Sequence, residues 1–228
     1  MHFLSIFSSL FILSGLNSCK GTMDATPVSE ERTLAEVVVQ PKKDLSGLQK
    51  AYFASGCFWC VEAIFESVTG VEEAVSGYSG GSAKNANYKA VSGGYTSHAE
   101  AVEIYYDSTV VDYPTLLQVF FGSHDPTTLN RQGPDRGPQY RSAIFYQNER
   151  EKKIAISYMA QLEGSGIFSK PIVTQIVELD KFYEAEEYHQ DFERRNPNQG
   201  YVRAVSVPRL NRFKKKFPEL LKEGLDEH

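Results

Sequence analysis

Cysteine is scarce in this chain. The 228 residues contain three, Cys19, Cys57 and Cys60, and none lies beyond position 60. So few cysteines exclude a scaffold stapled by several disulfides. They also leave a structural zinc site short of ligands. Such a site takes four, and only His98, His124, His189 and His228 follow Cys60. Positive charge is lacking as well: the net charge is −5 and the pI about 5.6, which excludes a field that would gather nucleic acid. The run Lys214-Lys215-Lys216 reads as a solvated helix face. Long apolar runs are missing. The most apolar stretch, Phe3 to Leu16, is too short to span a bilayer as a helix. Tryptophan occurs once, as Trp59, beside Cys60. What the chain has in quantity is Tyr and Phe, 13 and 14 of them. They suit a well-packed core and an aromatic pocket.

The chain is organised around Ala51-Tyr52-Phe53-Ala54-Ser55-Gly56-Cys57-Phe58-Trp59-Cys60. Residues 51–54 are apolar and aromatic and predict a buried strand. Ser55-Gly56 is a break. From Cys57 the spacing turns helical: Phe58, Val61, Ile64, Phe65 and Val68 are apolar, with Glu62 and Glu66 between them. Cys57 is thereby placed on the first turn of a helix. Backbone N–H groups there lack partners and the peptide dipoles add positive charge. Both favour thiolate, the nucleophilic form. Cys60, three residues on, faces the same side. The spacing suggests one sulfur that attacks and a second that resolves. Two small buried hydrophobes, or half a metal site, are the alternatives, and the spacing by itself names no reaction.

The N-terminus reads as a targeting segment over residues 1–18. It ends in Leu16-Asn17-Ser18-Cys19, which resembles a bacterial lipobox, where the cysteine is lipidated and becomes the mature N-terminus. His2 is the only residue before it that can carry positive charge, and an ordinary secretory signal is the alternative. In either case the expected address is outside the cytoplasm, as a lipid-anchored envelope protein or a secreted one. Residues 19–49 are polar and broken and predict a tether. Its roughly thirty residues would span about 30 Å. Leu34 to Val39 is a candidate strand within it. The domain is expected over residues 50–228.

Along that domain the pattern predicts helix 57–68, strand 71–78, a Gly/Ser/Asn-rich loop 79–97 and strand 98–106. Helix 112–121 follows, with Pro114 in its first turn, then a second long loop, 123–139. Strand 140–146, helix 149–162 capped by Asn148, strand 171–179, helix 185–194 and a basic helix 208–221 complete the order. The alternation has no regular βαβ period and indicates a mixed α/β sandwich in one domain. Long ordered loops usually carry function, and these two are placed to converge with the Cys57 turn at one sheet edge.

Several short pieces occur together in order: Gly56-Cys57-Phe58-Trp59, Gly77-Tyr78-Ser79-Gly80-Gly81, Asn85 through Tyr88, and His98-Ala99-Glu100. His124-Asp125-Pro126, Arg131-Gln132-Gly133, Asp135 with Gly137, Gln139-Tyr140-Arg141-Ser142, Tyr188-His189-Gln190 and Asn196-Pro197 continue the set. The chain resembles the peptide methionine sulfoxide reductase A family over residues 50–201. The resemblance implies an α+β fold, a two-layer sandwich with a mixed sheet and a ferredoxin-like core. It implies reduction of methionine S-sulfoxide, protein-bound or free, with electrons from a thioredoxin-type dithiol. No cofactor or metal is expected, and the protein is expected to act as a monomer. Cys57 would be the nucleophile and Glu100 the acid that protonates the sulfoxide oxygen. Tyr88 and Tyr140 would donate hydrogen bonds to that oxygen. Asp135 would share the site, and Phe58 and Trp59 would seat the substrate methyl group. His124 and His189 read as structural.

This sequence departs from the family pattern in two respects. Many members have Gly where Cys60 stands, and resolving cysteines after a C-terminal Gly-Tyr. Here Gly200-Tyr201 is followed by Val202, so Cys60 is the expected resolving residue. Ala86 and Ser97 also stand where the family commonly has Pro and Gly. A thioredoxin-like dithiol oxidoreductase is the rival reading, and a lipid-anchored binding domain a further one. Against the first, bulky Phe58-Trp59 separates the cysteines; the second leaves the cysteine pair unexplained.

Overall fold

The computed structural model describes residues 43–225. The proposed signal segment, Cys19 and the candidate strand Leu34 to Val39 lie outside the described residues. No helix among the described residues is long and apolar enough to cross a membrane.

The core is a sheet wrapped on one face by helices. Strand β1 (Gln49–Ser55) leads into α1 (Phe58–Glu66), then β2 (Val71–Ser79), β3 (Ala99–Tyr106), α3 (Tyr113–Gly122) and β6 (Ser142–Tyr146). A short helix α2 (Tyr88–Ser92) and a two-residue hairpin, β4 (Arg131–Gln132) and β5 (Asp135–Arg136), sit in the intervening loops. The four long strands lie in the order β6-β1-β3-β2, all antiparallel. That order is the expected ferredoxin-like core. Helix α4 (Glu149–Ser165) crosses back to β7 (Gln175–Glu178), which pairs parallel to β6. Strand β8 (Phe182–Glu184) closes the opposite edge against β2. The six-stranded sheet is therefore mixed, as predicted.

Strand side chains alternate between faces, and β1 shows what each face holds. Ala51 and Phe53 enter the main core with Ile64, Phe65, Leu116 and Phe120 of the helices. The Phe53 ring stacks on Phe120 at 5.1 Å and on Phe65 at 5.4 Å. Tyr52 and Ala54 point the other way, beside Ala99, Ala101, Ala143 and Phe145, where Leu179 and Phe182 cover them.

Helix starts follow their caps. The Asp112 carboxylate accepts from Thr115 N–H at 2.8 Å, and Asn148 Oδ1 accepts from Glu151 N–H at 3.0 Å. Helix α4 ends at Gly166 with φ +70°, which suits glycine. The chain's end clamps α1: Thr69 N–H donates to the Leu220 carbonyl and Lys222 N–H to that of Ser67, both at 2.9 Å.

Three expected elements are different in the structure. Residues 185–194 are not one helix. They form a 3-10 turn (Glu187–His189) and a short helix α5 (Phe192–Arg195). Gln190 explains the break. Its side chain accepts from Ser76 N–H and donates to the Ser76 and Ala185 carbonyls at 2.9–3.0 Å, binding the strand edge in place of a helix turn. Asp191, at φ +55°, then turns the chain. The last helix is also longer at its start: a π-turn (Val202–Ser206) runs into α6 (Val207–Lys216), and a 3-10 turn (Pro218–Leu220) follows. The loop 79–97 contains α2, capped by Asn87 through Ala90 N–H at 3.0 Å.

Candidate active site

The site begins at the junction of β1 and α1. Gly56 has φ +98°, and a Cβ there would stand 2.7 Å from Gln132 Cβ. Only glycine meets both demands, so the β4–β5 hairpin can close over the turn. Cys57 follows as the N-cap of α1 but makes no side-chain cap. Glu100, from the middle of the sheet on β3, supplies one instead: its Oε2 accepts from Phe58 N–H at 3.1 Å. The carboxyl group is thereby held against the nucleophile's turn. Glu100 is 2% exposed. Burial raises its pKa to about 8, Phe58 N–H opposes the rise, and the charge of Asp135 adds to it. At neutral pH the group is a carboxylic acid with a proton to give.

The two long loops deliver the hydroxyls. Tyr88 opens α2, its N–H donating to Glu186 Oε1 at 3.0 Å. Tyr140 lies on a 3-10 turn (Pro138–Tyr140). Gln139 Nε2 donates to the Ser92 carbonyl at 3.0 Å and stitches one loop to the other. Burial, then the charges of Glu100 and Cys57, push both tyrosine hydroxyls up. They remain donors. Asp135 Oδ2 accepts from Tyr201 Oη at 2.6 Å, and burial raises this carboxyl also.

Trp59 forms a half-buried wall. Its ring stacks on Phe192 at 3.7 Å, and its Nε1–H donates to His189 Nδ1 at 3.1 Å. Phe58 lies buried behind it, 5.0 Å from the His189 ring and 5.8 Å from Tyr78. Accepting at Nδ1 keeps His189 neutral, and burial lowers its pKa in the same sense. His124 Nδ1–H donates to the Phe120 carbonyl at 2.6 Å, and its Nε2 faces Ser142 Oγ at 2.8 Å. Burial pulls it down to about 3. His124 ties helix α3 to β6, and His189, on a 3-10 turn rather than in a long helix, packs against the Trp59 and Tyr88 rings.

Cys57 and Cys60 are free and buried. The helix start alone would lower Cys57, but burial outweighs it and pushes that thiol up. Cys60 is pulled down, first by a hydrogen bond from Cys57, with the Arg209 guanidinium also favouring the charge. Both directions favour the charge on Cys60 over Cys57.

The structure brings together Cys57, Cys60, Phe58, Trp59, Tyr88, Glu100, Asp135 and Tyr140. Sequence reasoning missed two neighbours. Tyr201, used only as a landmark, contacts Cys60 Sγ at 3.9 Å. Arg209 enters from α6. Its one sequence signal is helical spacing with Phe213, the other buried residue of that helix. A group of carboxylates, Glu62, Glu66 and Asp191, also comes within 4.8 Å of one another. Glu62 is already engaged by the Ser76 hydroxyl and Asp191 N–H.

Comparisons with known proteins agree with this geometry. A family model described as peptide methionine sulfoxide reductase matches residues 49–221. The chain is 50% identical over 189 residues to a peptide methionine sulfoxide reductase MsrA of Rhodopirellula baltica, covering 83% of this chain and 95% of that one. A Synechocystis MsrA is 46% identical over 210 residues, covering 91% and 98%. Among solved structures, methionine sulfoxide reductase A of Corynebacterium diphtheriae superposes with a TM-score of 0.61 at 33% identity, covering 70% of this chain and 83% of that one. Reduced Mxr1 of Saccharomyces cerevisiae gives 0.61 at 32%, covering 66% and 87%. Sequence, fold and the cysteine–carboxyl junction together place this chain in the peptide methionine sulfoxide reductase family.

Proposed function

We propose that the protein reduces methionine S-sulfoxide, in proteins and as the free amino acid, through a sulfenic acid on Cys57 and a Cys57–Cys60 disulfide. The observation that carries this reading is the Glu100 carboxyl, buried and bonded to the first N–H after Cys57, where burial raises its pKa and favours the acid form. Tyr88 and Tyr140 hold the sulfoxide oxygen, and Trp59 borders the methyl group. The Cys57 proton passes to the Cys60 thiolate. Cys57 sulfur attacks the substrate sulfur while Glu100 protonates the oxygen; the substrate S–O bond then breaks, the oxygen passes to Cys57 as its hydroxyl, and methionine leaves. The net exchange is thiol plus sulfoxide to sulfenic acid plus methionine. Cys60 then condenses with the sulfenic acid, and one water departs. A thioredoxin-type dithiol reduces the disulfide and is itself oxidised. The chemistry runs on thiols and a carboxyl group and needs no cofactor.

The test is the purified chain with dithiothreitol and the two sulfoxide epimers offered separately. Turnover of the S epimer alone is expected; equal turnover of both would refute the stereochemical assignment. Cys60→Ser is expected to release one equivalent of methionine per enzyme and then stall with thioredoxin as reductant. A peptide map after one turnover without reductant shows a Cys57–Cys60 linkage in the wild type. Sustained thioredoxin-dependent turnover by Cys60→Ser would remove Cys60 from the scheme.

The lipobox-like Leu16 to Cys19 supports an envelope address, with the catalytic domain held on a tether as a monomer and the lipid as its one membrane contact. Mass spectrometry of the mature protein is expected to find acyl chains on Cys19. Cleavage at another bond would leave a secreted enzyme.

A further inference from the structure

We propose that Arg209 is the built-in counter-ion of Cys60, holding the negative charge on that sulfur so that Cys60 resolves the sulfenic acid and later leaves first when the reductant opens the disulfide. The inference rests on the resolving role of Cys60 proposed above. Arg209 is 6% exposed. Its Nε donates to the Ser123 carbonyl at 2.9 Å and its Nη2 to Ser55 Oγ at 3.2 Å. Both acceptors are neutral. Among the described residues no carboxylate lies within 4.0 Å of the guanidinium. A buried cation without a paired anion is costly. The Asp135 and Glu193 carboxyls feel the guanidinium from beyond that distance, and the Cys60 sulfur, on the cavity that Arg209 lines, is the thiol that can bear the opposite charge. Arg209 Nη1 packs beneath the Gly56-Cys57 turn, 3.4 Å from where a Gly56 Cβ would stand. Arg209 and Cys60 line one cavity of about 170 Å³, with Tyr201, Asp135 and Arg212.

The other polar groups near Cys60 do not supply this charge. Tyr201 gives its single hydrogen to Asp135 at 2.6 Å, so in its 3.9 Å contact with Cys60 it can only accept. The Ser206 hydroxyl donates to Glu193. Glu100 and Asp135 bear negative charge when ionised and oppose a thiolate. Cys57 shares one proton with Cys60. Arg212, at the cavity wall, is exposed and screened. Arg209 is thus the one buried cation in the set, and Cys60 is drawn down where Cys57 is pushed up.

The position sets the order of the redox steps. With Cys57 as sulfenic acid, the Cys60 thiolate attacks its sulfur, the S–O bond breaks, and the hydroxide takes a proton to leave as water. The reductant's thiolate then attacks Cys57, which is 6% exposed against 1% for Cys60, and the Cys57–Cys60 bond breaks. Cys60 departs as a thiolate beside Arg209, a low leaving-group pKa speeds that step, and the reductant's second thiolate then frees Cys57.

Two measurements test this. Thiolate absorbance at 240 nm, titrated in the Cys57→Ser background, reads the charge on Cys60 whether or not it resolves anything. Arg209→Gln is expected to move the midpoint up by about one pH unit or more, the usual effect of losing an opposite charge at close range. Arg209→Lys is expected to restore most of the shift. In otherwise wild-type enzyme, loss of the second thiol after one turnover times disulfide closure. Arg209→Gln is expected to slow closure about tenfold at pH 7 relative to methionine release, with the pH profile of closure displaced by the same amount. A general packing defect would slow both steps together and move neither profile. An unmoved titration in Arg209→Gln, or lysine no better than glutamine, overturns the assignment of Arg209. Sustained thioredoxin turnover by Cys60→Ser would instead overturn the resolving step itself, and with it the proposed use of the charge.

Discussion

Cys57→Ser is expected to leave no sulfoxide reduction with any reductant, thioredoxin or small thiol alike. In the reductive step the sulfur at this position is the attacker. A serine hydroxyl keeps its proton at neutral pH, and Glu100, itself protonated, cannot take it. The loss should therefore be on the order of 10⁴-fold or more in the first turnover. The substitution changes one buried atom and leaves the backbone cap intact, because Glu100 bonds Phe58 N–H rather than the Cys57 side chain. Methionine release in a single turnover is the measurement, with a thermal melt to show the fold persists. Release of a full equivalent by the serine variant would remove Cys57 as nucleophile.

Glu100→Gln has the next largest expected effect, a loss of about 10²-fold or more in the reductive step. Glutamine keeps an oxygen for Phe58 N–H and so keeps the turn, but it has no proton to give at useful acidity. The pH dependence separates this role from a structural one. Burial lifts the Glu100 pKa from the usual carboxylate range to about 8. The acid form is thus present below that value and lost as pH rises through it. In the wild type the reductive step is expected to decline on the alkaline side near pH 8, after the rise that comes from ionising the thiol pair. Glutamine should erase the alkaline decline and keep the rise. Wild-type rates in the variant, or an unchanged alkaline limb, would exclude Glu100 as the proton donor.

The site could be read in the sequence to an unusual extent because its chemistry is clustered in short local words. The strand–Gly56–Cys57–helix passage follows from apolar spacing and one break. Asp112 and Asn148 announce the helices they cap, and the structure has both caps. The resemblance supplied Glu100, Tyr88, Tyr140 and Asp135, which spacing alone would have left as core or surface. Residues 185–194 misled, because their composition suits a helix. Gln190 spends its amide on Ser76 and Ala185 instead, and nothing local in the chain announces a partner 114 residues away.

The sequence by itself determined which groups the fold had to gather: one cysteine at a helix start, a second three residues on and none beyond, a glutamate on the third long strand, and two aromatic loops. Those are properties of neighbours along the chain. Only the tertiary structure decided how charge is shared among them. Local reasoning placed the thiolate on Cys57, from the free N–H groups of the helix start. Folding buries Cys57, raises Glu100 until it is an acid, and brings Arg209 of α6 to the side of Cys60. Proton positions in a water-poor site depend on desolvation and on charges contributed from distant parts of the chain, and no pattern of residues along a strand or helix records either.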